Sequence, residues 1–331
     1  MLALAAAAVP VLERTSAQEL EPGPTFAGWL EGVRADALAR GVRSDVVDQA
    51  LADLDEPLSV VIERDRTQAE VVLPLETYLA RRVTPSLVQT GRQMLARHRS
   101  VLAKVSEAYG VPAAVIVSIW GLESNFGRFT GVRPTIAALA TLAWDPRRAG
   151  LFREELLKAL EILNSGDVEL AKMRGSWAGA MGQPQFMPSS YLQYAVDFDG
   201  DGRRDIWSSQ ADIFASVANY LKGYGWTPGY RWGRAVAVSR EAAARAAAIE
   251  RRDGSCSARR DMTARRRLKD WHGLGVRLPG GHALPAADLD ASLVSGATRH
   301  FLVYDNYDVL LAYNCAHAYA LSVALLSERI G

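Results

Sequence analysis

The sequence predicts a mainly helical, α+β fold, and three observations support this prediction. Segments with the apolar spacing of helices fill the chain from Phe26 to about Arg99. Residues 111–127 contain an almost wholly apolar helix, and short β-prone runs are concentrated at residues 226–305. Because single hydrophobic cores stop growing at roughly 250 to 300 residues, a chain of 331 residues is expected to form two or three subdomains.

Composition and charge narrow the classes of partner. The chain is 49% hydrophobic and 23% charged, which is ordinary for a globular protein. Its 38 basic and 37 acidic residues leave a net charge of +1. A dominant polyanionic partner such as nucleic acid is therefore not expected. We expect the protein to act as a monomer.

The N-terminus has the pattern of an export signal. Met1–Val9 is a short apolar run, and Thr15–Ala17 has the small-x-small pattern suited to cleavage after Ala17. We therefore predict a signal peptide at residues 1–17, although no Lys or Arg precedes the apolar run. The run is shorter than the roughly 20 residues of a membrane-spanning helix, and no cysteine lies nearby for lipid attachment. The expected mature protein is soluble in the space to which it is exported.

The rest of the chain divides into four parts. The predicted parts are a helical subdomain at residues 24–99, a core at 100–225, a small α/β subdomain at 226–305 and C-terminal helices at 306–331. Polar breaks at Gly41, Pro57 and Pro85 separate the first helices, which have no cluster of polar residues and are interpreted as structural. The α/β prediction depends on the runs Arg234–Val238 and His300–Tyr304 around an Ala-rich helix at Arg240–Arg251.

The α/β part also contains a cysteine and an arginine-rich stretch. Cys256 and Cys315 fit either one disulfide in an oxidising compartment or two unrelated thiols. Metal binding by this pair is not expected, because the chain has no Cys-x-x-Cys or Cys/His ligand spacing. The arginines at 259–260 and 265–267 are interpreted as a solvated helix face rather than a ligand site.

Glu123 stands at the end of the apolar helix and is the leading candidate for a catalytic group. At helical spacing, Trp120, Ile119 and Ile116 share its stripe, so its carboxyl is expected to lie among large apolar side chains. Desolvation disfavours the ionised form and raises the pKa, which keeps a glutamate protonated near neutral pH. The alternative is an ordinary glutamate that turns outward at the helix end before Gly127.

Residues 175–191 form a glycine-rich segment with serine and glutamine side chains beside aromatic rings. Rings and neutral hydrogen-bonding groups suit an uncharged polyhydroxyl ligand such as a sugar. The alternative is a glycine-rich loop that only packs helices together.

An acidic loop follows this segment. Asp197, Asp199 and Asp201 occupy alternate positions and are followed by a turn glycine, as in the calcium loop of an EF-hand. Ser208 replaces the closing glutamate, and Asp212 is expected to supply the closing carboxylate instead. The prediction is a divalent cation site of altered geometry, and the alternative is a solvated acidic turn.

Glu123 has no partner acid nearby in the sequence. The nearest downstream carboxylate is Asp145, which a turn or an arginine contact explains adequately. Because retaining and inverting glycosidases both use two carboxyl groups, a mechanism that needs a single acid is favoured.

Several motifs occur along the chain in the same order as in a known protein family. They are Glu123–Gly127, Gly179–Ser190, the acidic loop running into Ser216–Tyr220, and Tyr313-Asn314 with Tyr319. Together they resemble the membrane-bound lytic murein transglycosylase B family over about Phe26 to Ile330. The resemblance implies a lysozyme-like catalytic core and cleavage of the MurNAc-β-1,4-GlcNAc bond of peptidoglycan without water, leaving 1,6-anhydro-MurNAc ends. It also implies a periplasmic enzyme of cell wall turnover, with cell-wall synthesis or remodelling proteins as possible partners.

The resemblance further implies roles for individual residues. Glu123 matches the single catalytic acid and base, and no cofactor is implied for the chemistry. The implied substrate-binding residues are Ser124, Asn125, Arg147, Arg148, Ser176, Gln185, Phe186, Tyr220, Tyr313, Asn314 and Tyr319. Phe186 and Tyr220 match aromatic residues that contact sugar, and Arg147 and Arg148 match residues that meet a peptide or lactyl carboxylate. The implied ligands of a structural calcium or other cation are Asp197, Asp199, Asp201, the Arg203 carbonyl and Asp212.

Two departures from the family are visible. The chain has no lipidation cysteine, so it resembles the soluble exported members. Cys256 and Cys315 are not part of the motifs, and a bridge between them would tie the α/β part to the core. Two other functions remain open: a lysozyme-type hydrolase, or a non-catalytic peptidoglycan-binding protein, which has no use for a desolvated acid.

Overall fold

The N-terminal part of the protein is helical. The computed structural model describes residues 25–67 and 73–331, and the predicted signal peptide at 1–17 lies outside them. The helices of this part are α1 (Phe26–Ala39), α2 (Ser44–Leu51), α3 (Ser59–Thr67), α4 (Leu75–Arg82), α5 (Pro85–Arg97) and α6 (Arg99–Tyr109). α5 begins where predicted, because Oγ1 of Thr84 accepts the Leu87 N–H over 3.2 Å and Pro85 takes the first helical position.

The central part carries five more helices in the described chain. They are α7 (Ala113–Ser124), α8 (Thr135–Trp144), α9 (Ala149–Ser165), α10 (Pro188–Tyr194) and α11 (Gln210–Gly223). Two short strands, β1 (Arg133–Pro134) and β2 (Arg174–Gly175), pair antiparallel between them. The glycine-rich segment and the acidic loop are the connections on either side of α10.

A small α/β unit follows. Its elements are β3 (Gly233–Val236), α12 (Arg240–Ala247), α13 (Ser257–Asp261), β4 (Arg266–Arg267), α14 (Leu268–Gly273), β5 (Asp290–Ser295) and β6 (His300–Val303). The strands form an antiparallel sheet in the order β3-β6-β5-β4. Both predicted β-prone runs are strands, and β5 was not predicted. The unit has its own core around Trp271 and Leu302, each 0% exposed.

The arginine-rich stretch differs from its prediction. Arg266 and Arg267 lie on β4 rather than on a helix. Arg265 pairs with Asp308 over 2.6 Å, and Arg252 donates two hydrogen bonds of 2.9 Å to the same carboxylate. Arg259 and Arg260 lie on α13 as expected, and the arginines at 265–267 are exposed. The interpretation as a helix face is wrong for the arginines at 265–267, because they leave the helix and part of their charge is used in ion pairs that join the α/β unit to the last helices.

The C-terminus consists of α15 (Asp305–Tyr313) and α16 (His317–Ile330), bent by 117° at the break between them. Cys315 lies in this break and forms a disulfide with Cys256. The question that the sequence left open is thereby decided. Among the described residues, no single helix is long and apolar enough to cross a membrane.

Helix α7 lies at the centre of the molecule. Helices α5, α6, α11 and α16 all pack against it. Ile116 and Ile119 are 0% exposed, and the Trp120 ring meets those of Phe214 and Phe126 at 5.1 and 5.4 Å. Burial of side chains of this size contributes about 1.5 to 3 kcal/mol each. The position of α7, the helix that carries Glu123, is consequently fixed by the helices packed around it.

Candidate active site

The last turn of α7 presents Glu123 to a cavity of about 340 Å³. The side chain is half-buried, and burial raises the pKa of Glu123 to about 7. A hydrogen bond from Tyr319 and the charge of Arg82 act in the opposite direction and lower that pKa. Both the acid and the carboxylate are thus populated near neutral pH. The carboxyl does not turn out into open solvent, so the pattern of apolar neighbours predicted its environment correctly.

The chain leaves α7 through three consecutive residues in the left-handed region. Asn125, Phe126 and Gly127 have φ of 49°, 59° and 81°. Such values are uncommon for residues other than glycine. A Cβ on Gly127 would lie 2.4 Å from Oε1 of Gln183, so this position needs glycine. The sharp exit ends the helix directly after Glu123 and brings the next residues back over it.

Ser124 supports this turn. Its hydroxyl donates to the Trp120 carbonyl over 3.1 Å and accepts the Gly127 N–H over 3.1 Å. The side chain is 0% exposed. The Ser124 hydroxyl is thus buried and already used to hold the helix end, and the substrate-binding role implied for this cavity-lining residue stays a prediction.

Gln183 connects the glycine-rich segment to α7. Its Oε1 accepts the Trp120 Nε1–H over 2.6 Å, and its Nε2 donates to the Trp207 carbonyl over 2.7 Å. The side chain is only 6% exposed. Because a buried amide must satisfy both ends, Gln183 holds α7 close to the glycine-rich segment.

Two tyrosines from the α15–α16 break complete this side of the site. The Tyr319 hydroxyl donates to Oε1 of Glu123 over 2.5 Å, and the Tyr313 hydroxyl donates to the Pro184 carbonyl over 2.7 Å. Their rings stack with centroids 6.2 Å apart. Burial, followed by the nearby Glu123 carboxyl, raises the pKa of Tyr319 well above its usual range. Tyr319 is therefore a neutral hydrogen-bond donor throughout the physiological pH range.

Phe186 and Tyr220 lie behind the surface rather than on it. They are 2% and 6% exposed, their ring centroids are 5.5 Å apart, and Tyr220 donates to the Ala312 carbonyl over 2.8 Å. Both rings also pack against Tyr313. The expectation that they contact sugar is corrected to a supporting role, because side chains so deeply buried present almost no ring face to a ligand.

Ser176, Gln185 and Asn314 are placed at the surface of the glycine-rich segment and the break. Ser176 is half-buried, and its hydroxyl accepts the N–H groups of Ala178 and Ala180. Gln185 is half-buried with φ 55° and donates to the Thr130 carbonyl over 3.2 Å. Asn314 is exposed.

The opposite wall of the cavity comes from a part of the chain that the sequence analysis interpreted as structural. Lining side chains beside α7 come from the end of α4 and the start of α5: Arg81, Arg82, Thr84 and Leu87. Phe129 also lines the cavity and is 71% exposed. Nothing in the local pattern marks these residues, since arginines at a helix end are usually solvated. Among the described residues that line the cavity, Glu123 is the sole carboxylate.

Arg147 and Arg148 lie in an ion-pair cluster. Both pair with the buried carboxylate of Asp65, and Nε of Arg147 meets Oδ1 of Asp145 at 3.1 Å. The hydrogen bond from Arg147 lowers the pKa of Asp145. The arginine contact expected for Asp145 is thus present.

The acidic loop brings three carboxylates together. Ligand atoms of Asp197, Asp199 and Asp212 all lie within 4.8 Å of one another. Asp212 is 0% exposed, and its oxygens accept the N–H groups of Phe198 and Asp205 over 2.8 Å each. Burial raises the pKa of Asp212. A hard cation with oxygen ligands such as Ca²⁺ fits this donor set, because it would offset the repulsion among three crowded carboxylates.

Hydrogen bonds to the carboxylates of Asp197 and Asp201 shape the acidic loop. Asp201 Oδ1 accepts the Arg203 N–H over 2.9 Å, which closes the turn of the loop. Asp197 accepts the N–H groups of Gly200 and Gly202 over 2.7 and 2.9 Å. These bonds fold the loop into one compact turn before the start of α11.

Comparisons with known proteins agree with this geometry. The family model described as Transglycosylase SLT domain matches residues 25–328. The chain belongs to this family. The resemblance found in the sequence is thereby confirmed.

Two kinds of relative support the membership in the Transglycosylase SLT family. The chain is 43% identical over 153 residues to the membrane-bound lytic murein transglycosylase B of Escherichia coli (strain K12), a match that spans 46% of this chain and 42% of that protein. It is 41% identical, with a TM-score of 0.83, to SltB3 from Pseudomonas aeruginosa, solved in complex with NAG-anhNAM-pentapeptide. This second match covers 92% of this chain and 79% of that one.

A third relative bears on the acidic loop. The Escherichia coli lytic transglycosylase Slt35, solved in complex with calcium, is 28% identical with a TM-score of 0.75. The match covers 91% of this chain and 92% of Slt35. These structures confirm the predicted mainly helical, lysozyme-like fold of this SLT-domain chain.

Proposed function

We propose that this protein is a lytic transglycosylase that cleaves the MurNAc-β-1,4-GlcNAc bond of peptidoglycan and leaves 1,6-anhydro-MurNAc ends. The observation that carries the proposal is Glu123, a carboxyl with a pKa of about 7 that is the sole acid among the described residues lining its cavity. The names of the relatives and the muropeptide bound to SltB3 support the substrate class.

The first step uses Glu123 as an acid. The Tyr319 hydroxyl donates a hydrogen bond to Oε1 of Glu123. The proton that Glu123 transfers to the substrate is therefore expected to lie on Oε2. With a pKa near the working pH, the carboxyl is protonated often enough to give this proton to the glycosidic oxygen as the bond breaks. Tyr319 keeps the carboxyl in one orientation while the proton leaves.

The second step uses the same group as a base. The Glu123 carboxylate accepts the proton of the C6 hydroxyl, and the C6 oxygen attacks the anomeric carbon of its own sugar. Because nucleophile and carbon belong to one ring, the step is intramolecular and loses little entropy. A glycosidase that uses water or a covalent intermediate needs a second carboxyl about 5 to 9.5 Å from the first, and the described cavity lining supplies none.

Substrate binding is proposed for the polar groups around the cavity. Asn125 lines it beside Glu123, and Ser176, Gln185, Tyr313 and Asn314 keep the roles that the family resemblance implies. The exposed ring of Phe129 is an added candidate for stacking on a sugar. Arg147 and Arg148 are about half-exposed, and they are proposed to share their charge between Asp65 and a peptide or lactyl carboxylate.

The wider setting is proposed from the same resemblance. The substrate lies in the periplasm, so we propose an exported protein that works there as a monomer on glycan strands. The chemistry needs no cofactor, and a calcium ion held by the acidic loop is proposed to have a structural role. Calcium in the relative Slt35 supports this proposal.

Product analysis tests the reaction. Isolated sacculi are digested in water enriched in oxygen-18, and the new MurNAc termini are examined by mass spectrometry. The proposal expects anhydro ends, lighter than reducing ends by one water and free of label. Labelled reducing ends would instead identify a lysozyme-type hydrolase.

A matched pair of variants tests the role of Glu123. Glu123→Gln is expected to abolish turnover while it keeps the fold and the binding of muropeptides. Glu107→Gln, on the exposed face of α6, is the control and is expected to keep full activity. Undiminished activity of Glu123→Gln would refute the assignment, and tight binding without turnover by the unmodified protein would identify a binding protein.

A further inference from the structure

Arg82 contacts the end of the helix that carries Glu123. Its Nη2 donates a hydrogen bond to the Leu122 carbonyl in the last turn of α7. The last four carbonyls of an α-helix have no partner within the helix, and a cation there also interacts favourably with the helix dipole. In this turn the Gly121 and Trp120 carbonyls accept from Asn125 and Phe126. Arg82 supplies the donor for the carbonyl next to Glu123.

Helix α4 is pinned at both ends, so Arg82 is held in place. At its start, the Glu76 carboxylate accepts the N–H groups of Thr298 and Arg299 over 2.7 and 3.0 Å. Directly after its end, the Val83 carbonyl accepts Nη1 of Arg329 over 3.3 Å. The first contact joins α4 to the turn between β5 and β6, and the second joins it to α16, the helix that carries Tyr319.

Few charged groups surround the Glu123 carboxyl. The charged and titratable groups that face it in the described structure are Arg81 and Arg82 from α4, Tyr313 from α15 and Tyr319 from α16. α5 contributes Thr84 and Leu87, which do not titrate. The positive charge of Arg82 lowers the pKa of Glu123 against the larger effect of burial.

We propose that Arg82 is a positioning residue for the catalytic carboxyl: it holds the last turn of α7 and keeps a positive charge beside Glu123. This inference rests on the proposed function. The hydrogen bond from Arg82 to the Leu122 carbonyl fixes the orientation of the neighbouring Glu123 carboxyl. The positive charge of Arg82 favours the ionised form of Glu123, which the second step needs. Arg82 also gives a role in the site to α4, a helix whose sequence has no cluster of polar residues.

Variants at Arg82 separate the charge from the hydrogen bond. Arg82→Met removes both, and we expect the pKa of Glu123 to rise by roughly half a unit, the size typical of a solvent-exposed ion pair. The basic limb of the kcat/KM profile should move upward by the same amount, and kcat should fall about 10-fold with little change in KM. Arg82→Lys keeps the charge and should restore most of the pH shift.

A second arginine provides a matched control. Arg92 donates to the Arg329 carbonyl at the end of α16 over 2.7 and 3.0 Å. That site is about 15 Å along the helix from Tyr319 at 1.5 Å per residue. Arg92→Met therefore loses a comparable helix-end contact, and it is expected to lower the melting temperature without changing the titration of Glu123.

Carbon-13 NMR of labelled glutamate carboxyls, assigned through Glu123→Gln, measures the titration without any turnover. An unchanged Glu123 titration in folded Arg82→Met, or a rise in KM alone, would overturn the inference. Failure of the proposed function looks different, because the unmodified protein would then release no anhydro ends from sacculi while the NMR comparison still reports on Arg82.

Discussion

The Tyr319 hydroxyl and Oε1 of Glu123 are 2.5 Å apart, although the two residues are separated by 196 positions in the sequence. Tyr319 stands in the first turn of α16, directly after the break that contains Cys315. The Glu123 carboxyl is therefore oriented by α16. Burial makes Glu123 a weak acid, and Tyr319 limits how weak it becomes.

Replacement of Tyr319 by phenylalanine should make Glu123 harder to ionise. A hydrogen bond to a charged group contributes about 1.5 to 3 kcal/mol, so we expect the pKa of Glu123 to rise from about 7 by about one unit or more. The basic limb of the pH–activity profile should move upward accordingly. Tyr313→Phe, which loses a bond to Pro184 instead, should leave that limb in place. If the basic limb lay at the same pH in the unmodified protein, Tyr319→Phe and Tyr313→Phe, the role given to Tyr319 would be contradicted.

Glu123 should also make stability depend on pH. Its pKa is about 7 in the folded protein against an ordinary value of 4.5 for a glutamate, so the folded state binds the proton more tightly. The free energy of unfolding should therefore fall as pH rises from about 4.5 to 7 and then level off. Glu123→Gln has no carboxyl to ionise, so this loss of stability at higher pH should be absent from the variant.

Urea denaturation across pH measures the effect. The variant is expected to be more stable than the unmodified protein by about 3 kcal/mol at pH 8, with almost no difference near pH 4. A constant difference across this range would show that Glu123 ionises freely in the folded state.

Calcium should stabilise the protein through the acidic loop. Calcium at 100 times its dissociation constant adds about 2.7 kcal/mol, which corresponds to a rise of several degrees in melting temperature. Asp212→Asn keeps one oxygen, so only one of the N–H groups of Phe198 and Asp205 retains its acceptor, and it removes a buried charge. Its response to calcium should therefore be much smaller. Asp253→Asn, at an exposed position, is the control. A chelator with no effect on the unmodified protein would argue against a bound ion.

The disulfide should stabilise the fold. Cys256 and Cys315 are 59 residues apart, and removal of a native bridge of this kind typically costs about 2 to 4 kcal/mol. The double variant Cys256→Ser/Cys315→Ser should therefore unfold at lower urea concentration. Dithiothreitol should have the same effect on the unmodified protein and none on the variant. Equal stability with and without reductant would show that the bridge contributes little.

Local patterns in the sequence predicted much of the site. The raised pKa of Glu123 follows from apolar neighbours at helical spacing, such as Ile119 and Trp120, and these are set by the sequence of one helix. The convergence of Asp197 and Asp199 likewise follows from their alternate positions in a short loop. Features that depend on a few adjacent turns can be derived from spacing alone.

The sequence by itself determined the mainly helical fold, the solitary acid and the acidic loop, because each is encoded within a few consecutive turns. Only the tertiary structure decided that Cys256 pairs with Cys315, that Phe186 and Tyr220 lie behind the surface, and that Arg82 reaches the end of α7. These outcomes join segments that are 34 to 59 residues apart or, for Tyr319 and Glu123, 196 apart. Such contacts depend on how helices pack against one another, and residue spacing along one chain does not encode that packing.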